Sequence, residues 1–456
     1  LSAVFLMILT AVSFVLLPKL PALHTWEVEA REERIAEEEF AQSQVTMQNL
    51  KIKEQNEAAG AKGELSIRLP EGVTGDQIAV SNDYVTQTIR VEIPQADRTY
   101  FDSYPVLGNS DYIDGLSYTR QGEMGVIEVT TNKVYELQTE YDAQNFYFNF
   151  LTPHEVYDKV VVIDAGHGGR AVGANKQGIN EKDIDLAIVL KLKEIFDNSD
   201  QNIGVYYTRT DDSNPTFDQR VQLANKSDAD LFISIHNNST RSGRMSGTSG
   251  TQVMYDETSE ASRQFAQICL EEVTGRIGSR DKGLVEGDSI YIIRTSEVPV
   301  ALIEVGFMTN KDELEKLNSD AYQRETAEGV YQAVLRAFEE GYKKEDKAMR
   351  INFATGNAGK MREIREIMAD MDMEICSMKE AGISLDIEEN GTTFEENAQI
   401  KAKAVAACTK DIVLADDSGL EVDYLNKEPG VYSARYLGED TSYDIKNQAI
   451  LDRLDR

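Results

Sequence analysis

Residues 160–169 read VVVIDAGHGG. The run from Val160 to Ala165 is continuously apolar apart from one acid near its end, the pattern of a buried strand in an α/β sheet. It passes straight into Gly166-His167-Gly168-Gly169. In open α/β sheets ligands bind beyond the carboxyl ends of the strands, and glycine lets backbone approach closely there. His167 is therefore placed to handle a ligand, although a lone strand-end histidine is more often structural.

Three further pieces share this character. Gly178-Ile179-Asn180-Glu181-Lys182-Asp183 precedes DIDLAIVLKLKEIF, in which Ile184, Ala187, Leu190 and Ile195 predict an apolar helical stripe, with Glu181 at the helix start. An acid there ordinarily just complements the helix dipole. Residues 229–237 (ADLFISIHN) predict a second apolar strand, again with a histidine, His236, at its carboxyl end. Residues 300–307 (VALIEVGF) predict a third, with Glu304 inside the apolar run. An ionised glutamate is almost never buried unless it is paired or binds a metal. Two histidines and one glutamate suit zinc with a position left open for water, and a second glutamate can accept that water's proton.

Composition narrows the alternatives. The 456 residues hold 47 Lys and Arg against 79 Asp and Glu, a formal net charge of -32. That surplus excludes a broad nucleic-acid footprint, which must be basic. With 41% hydrophobic and 28% charged residues the chain is globular in character. Three scattered cysteines make neither a disulfide framework nor a CxxC zinc site. Only four histidines occur, so two of them at strand ends in one region is a concentrated signal.

The segments flanking this region read differently. Residues 1–20 carry the uncharged run LSAVFLMILTAVSFVLL, about 26 Å long as a helix. It is read as an uncleaved transmembrane anchor in preference to a signal peptide, since no small-x-small cleavage site follows. Residues 21–63 are acidic, with seven Glu and two Arg between Glu27 and Phe40, and predict a solvated helical or flexible stalk. Residues 64–155 contain LSIRLP, QTIRVEIP, MGVIEVTT and YFNFL, which predict a small β-rich domain. The main domain is expected over 158–343, with Arg241–Gly250 a flexible loop after His236, then a linker at 344–348. From 349 to 456 a new pattern starts: strand RINFA, loop Thr355-Gly356-Asn357-Ala358-Gly359-Lys360, and helix KMREIREIM. A glycine loop opening a helix beside a lysine suits phosphate. Acids at Glu396 and at Asp416-Asp417 could hold Mg²⁺ opposite that loop.

The texts VVIDAGHGG, GINEKDI, YYTR, RVQLAN, ADLFISIHNN and PVALIEVGFMTN together resemble the zinc-dependent N-acetylmuramoyl-L-alanine amidase family. The resemblance implies hydrolysis of the amide between N-acetylmuramic acid and L-Ala in peptidoglycan. It implies Zn²⁺ held by His167, Glu181 and His236, and Glu304 as the catalytic glutamate. The β-rich segment weakly resembles wall-targeting modules that precede such amidases. The tail, with PGVYSARY at 429–436, resembles the non-canonical purine nucleoside triphosphate pyrophosphatase family (inosine/xanthosine triphosphatases). That resemblance implies triphosphate binding by Thr355 to Lys360, substrate contact by Ser418, Mg²⁺ on Glu396 and Asp417, and Asp417 as general base. Only the family's first half is present, so little pyrophosphatase activity is expected.

The expectation is thus an α/β amidase domain with a mainly parallel sheet flanked by helices. A membrane helix and a small β domain precede it, and a partial α/β domain follows. It would face the cell wall from the membrane. The tail's chemistry belongs in the cytosol, so Met349 is read as the start of a neighbouring gene joined to this one in preference to a true bifunctional fusion. Two alternatives are weighed: a Mg²⁺-dependent nucleotide pyrophosphatase as the main activity, and a catalytically dead wall-binding protein.

Overall fold

The computed structural model describes residues 20–54, 62–341, 349–355, 358–368, 373–381, 383, 385, 387, 389–409, 411–438 and 441–454. The chain divides into two units, Leu1–Lys344 and Glu345–Arg456. The apolar run read as a membrane anchor lies outside the described residues, as does the linker at 344–348. Among the described residues no helix is long and apolar enough to cross a membrane.

The first unit opens with helix α1 (Leu20–Ser43). Two five-stranded sheets follow. One runs, in spatial order, through 48–49, 113–121, 124–131, 88–94 and 79–83; the other through 53–54, 107–108, 65–68, 145–151 and 136–141. Strict alternation makes this possible: Thr88–Pro94 and Asn145–Leu151 bury every second residue. Those inward residues, among them Leu65, Ile67, Val91, Phe146 and Phe148, form one core between the sheets. Each of the four segments read as strands in this region is a strand.

The sheet that carries the site contains β1 (Lys159–Ala165), β2 (Ile203–Tyr207), β3 (Leu231–Asn238), β4 (Thr251–Tyr255), β5 (Asp281–Glu286) and β6 (Val300–Phe307). Their spatial order is β2-β1-β3-β6-β4-β5. β1 is apolar from Val160 to Ile163 because both its faces are covered. Val161, Ile163 and Ala165 face one core, under helices α2 (Glu181–Asp197), α4 (Glu260–Ile277) and α6 (Asp320–Glu339). Val160 and Val162 face another, under α3 (Phe217–Lys226) and the short helix α5 (Tyr291–Arg294). Val134 joins that second core, and Tyr206 donates to Glu136 (2.6 Å), so the β domain is tied to this face.

Two expectations need adjustment. The sheet is mixed: the pairings β1–β2, β1–β3, β3–β6 and β4–β5 are parallel, but β4 pairs antiparallel with β6. Parallel neighbours need a crossover, usually helical. Residues 239–250 between β3 and β4 carry no helix, and the chain returns in the opposite direction. The buried stripe of α2 also differs from the one read from sequence. Leu190 is exposed, and the inward face is Ile184, Asp185, Ile188, Val189, Leu192 and Phe196.

The second unit holds β7 (Met349–Phe353), α7 (Ala358–Ile367), β8 (Met373–Ser377), α8 (Phe394–Ala406), β9 (Ile412–Leu414) and α9 (Tyr443–Leu454). Its three-stranded sheet, β8-β7-β9, is parallel in both pairings.

Candidate active site

The site begins where β1 ends. His167 has φ +58°, in the left-handed region, and its position is enforced from beneath. Arg220 donates to the carbonyls of Ala165 (2.8 Å) and His167 (2.7 Å). Arg209 donates to those of Ala165 (2.9 Å), Gly166 (2.7 Å) and Lys182 (2.9 Å). Asp164 completes the clamp, accepting from Arg220 and from Thr208 (both 2.6 Å) and from Ser234. Burial disfavours the Asp164 carboxylate, but Arg220, Ser234 and Thr208 outweigh it and hold the carboxyl at about 2. Two glycines are steric requirements: a Cβ on Gly166 would strike the His236 ring. One on Gly173 would lie 2.6 Å from both Glu181 Oε2 and His167 Cδ2.

Four elements then deliver one cluster. His167 follows β1, Glu181 is the first residue of α2, His236 lies in β3, and Glu304 lies in β6 directly opposite His236 in the strand register. Glu181 Oε1 lies 3.1 Å from His167 Nε2 and 3.3 Å from His236 Nδ1. The two imidazole centroids are 4.8 Å apart and meet edge to face. Glu181 is fixed by backbone donors, Ala174 N–H on Oε2 (2.7 Å) and Asn237 N–H on Oε1 (3.0 Å). All four side chains line a cavity of about 730 Å³.

Asp185 joins His167, Glu181 and His236, their ligand atoms lying within 4.8 Å of one another. It is fully buried, and Asn237 Nδ2 donates to its Oδ1 (2.7 Å). Sequence reasoning passed over it, yet the signal was the one that singled out Glu304: a carboxylate on an apolar face, between Ile184 and Ile188.

The electrostatics fit a divalent cation. Burial, and then the Glu181 carboxylate, push the Glu304 carboxyl up to about 8. The same two causes push Asp185 well above the usual carboxylate range. Burial works against charge on His167, but Glu181 and Glu32 hold its pKa well above the ordinary imidazole value. Asp185 Oδ2 and Glu304 Oε2 are buried with no hydrogen-bond partner among the described residues. Two imidazoles and the Glu181 and Asp185 carboxylates form a donor set suited to zinc, and the unpartnered oxygens of Asp185 and Glu304 beside it are costly to bury without a cation.

The second unit arranges its expected ligands differently. Gly356 and Asn357 lie outside the described residues. Lys360 Nζ pairs with Asp416 (2.9 Å). Asp417 accepts from Lys401 and from Asn397 (both 3.1 Å). Glu396 accepts from the Thr392 amide (2.6 Å) and hydroxyl (2.7 Å). The cluster around Glu181 is the one group of three or more converging metal-ligating side chains among the described residues.

Residues 161–336 match the family described as N-acetylmuramoyl-L-alanine amidase. Over 178 residues the chain is 33% identical to the N-acetylmuramoyl-L-alanine amidase CwlM of Bacillus licheniformis, covering 39% of this chain and 68% of that protein. The chain belongs to the N-acetylmuramoyl-L-alanine amidase family. Over 182 residues this amidase is also 37% identical to the uncharacterized protein YqiI of Bacillus subtilis (strain 168), covering 39% of this chain and 83% of that one. Residues 351–456 match the Ham1 family. There the amidase chain is 49% identical over 107 residues to the dITP/XTP pyrophosphatase of Clostridium perfringens (strain 13 / Type A), or 22% of this chain. It spans only about half (52%) of that pyrophosphatase's length.

Proposed function

We propose that the cavity between α2, β3 and β6 hydrolyses the amide joining the lactyl group of N-acetylmuramic acid to L-Ala of the stem peptide, with His167, Glu181 and His236 holding zinc. The observation that carries this reading is the convergence of those three side chains from separate elements, with Glu304 opposite His236 in the register. A zinc ion held there supplies Lewis acidity toward water and the scissile carbonyl, and positive charge that favours the ionised form of Glu304. Glu304 Oε2, buried and without a hydrogen-bond partner among the described residues, takes a proton from the attacking water and returns it to the departing amine of L-Ala. Asn237 holds Glu181 through its backbone N–H and Asp185 through its side chain, which fixes the direction of the ligand carboxylate. The Arg209–Arg220–Asp164 clamp holds the His167 backbone in its left-handed turn.

The apolar run at residues 1–17 supports placement at the outer membrane surface, facing peptidoglycan. For the second unit the similarity to pyrophosphatases supports a nucleoside triphosphate as ligand of that segment alone.

The test is metal content together with murein digestion. The unsubstituted protein should carry zinc and release stem peptides, and a chelator should abolish the release. His167→Ala should lose both metal and activity. A metal-free protein with full murein hydrolysis overturns the reading.

A further inference from the structure

The acidic segment read from sequence as a solvated stalk lies instead against the site. Along α1, Glu29, Glu32, Glu33, Ala36 and Glu39 recur at helical spacing on one face. No two of the four carboxylates share a partner. Glu32 Oε2 lies 3.1 Å from His167 Nδ1. Glu33 accepts from the Phe217 amide (2.7 Å), the first residue of α3, and Glu29 from the Tyr291 amide (2.7 Å). Glu39 accepts from the Arg170 amide and Nε (both 3.0 Å) and from Asn214 Nδ2 (2.9 Å). Glu29 and Glu32 wall the same cavity as Glu181, His236 and Glu304.

From this geometry we propose that α1 is an internal plug of the substrate groove, which must lift away before murein can enter. The inference rests on the amidase reading of the site. A helix that is a permanent wall buries an apolar stripe. Among the described side chains of α1 only Ala36 is buried and Ile35 is half-buried, and apart from the Ile35 carbonyl, which accepts from Arg170, its hydrogen bonds to the rest of the unit run from carboxylates to polar donors. Such contacts exchange readily for contacts with water, which makes α1 a candidate for local release while the core beneath stays folded. The donors it occupies, the backbone amides of Phe217 and Tyr291 and the Arg170 guanidinium, are groups that an acidic stem peptide can use once they are vacated.

The experiment compares the full chain with a triple variant, Glu29→Gln, Glu33→Gln and Glu39→Gln, which leaves Glu32 and the metal cluster intact. Hydrogen exchange of residues 28–43 reports docking. Murein hydrolysis and the rate of zinc extraction by a chelator report access. In the unsubstituted chain residues 28–43 should be protected, and in the variant that protection should fall. Hydrolysis and zinc extraction should each rise about tenfold, as the accessible fraction of molecules rises. Absent protection in the unsubstituted chain overturns the plug, and so does a freed helix with both rates unchanged. If neither protein digests murein the amidase reading fails, and zinc extraction still decides: faster loss from the variant upholds the plug, an equal rate overturns it.

Discussion

The two units of this chain start their chemistry alike, with a strand, a glycine-containing loop and a helix, and then diverge. In the amidase domain β1 is covered on both faces, and every residue from Val160 to Ala165 is buried. Side chains as far apart in sequence as His167 and Glu304 meet at the sheet's carboxyl edge. In the second unit the outer strand β9 leaves Ile412 and Leu414 exposed, and the acids of the expected Mg²⁺ site are engaged by Lys401, Asn397 and Thr392. A motif becomes a site where several elements aim at one point and the enclosed charge is left unneutralised. In the second unit the corresponding acids are held by neighbouring side chains one by one.

The contrast can be broken most severely at Glu304. If its unpartnered oxygen handles the proton, Glu304→Gln lowers kcat on murein by about 10²–10⁴-fold, with zinc content unchanged; unchanged turnover would return Glu304 to a structural role.

Next is the clamp. Asp164→Asn leaves Arg220 buried without its counter-charge and should cost the amidase domain about 3–5 kcal/mol in urea unfolding. The pH dependence has a definite sign. The folded value of Asp164, about 2, lies below that of an unfolded aspartate. Its contribution is therefore present above pH of about 4 and disappears as pH falls toward 2, amounting to roughly 2–3 kcal/mol. The Asn variant should lose that part of the acid dependence.

A smaller effect is expected at Asp185. Asp185→Ala removes the partner of Asn237 and should weaken zinc affinity by about 10–100-fold in a chelator competition. An equal affinity would show that Asn237 is held without it. Smallest is the response of the second unit to Mg²⁺ and inosine triphosphate, where no turnover above background is expected. Turnover abolished by Asp417→Asn would place a working site there and dissolve the contrast.

The sequence carried much of the site because burial and charge leave a local trace. His167 and His236 end apolar strands, and Glu304 interrupts one; each is anomalous within its own few residues. Asp185 left the same trace, but the stripe chosen for α2 ran through Ala187 and Leu190 instead of Ile188 and Leu192. With that face misjudged, the acid buried at position 185 was not conspicuous. Arg209 and Arg220 stood inside quoted motifs, yet their work on the His167 turn depends on β2 and α3 folding against β1.

What the chain determined by itself was the set of strands and the chemistry of their ends, since alternating or continuous apolar runs fix which backbone is buried. The direction of β4 could not be read in this way, because an antiparallel return depends on which edge is free when the loop from residue 239 to 250 lands. Nor could the place of α1. A row of glutamates on one helical face has the same local energetics in water as against a ring of N–H donors. Only the assembled groove, with Tyr291, Phe217, Arg170 and His167 presented together, distinguishes a solvated helix from a docked one.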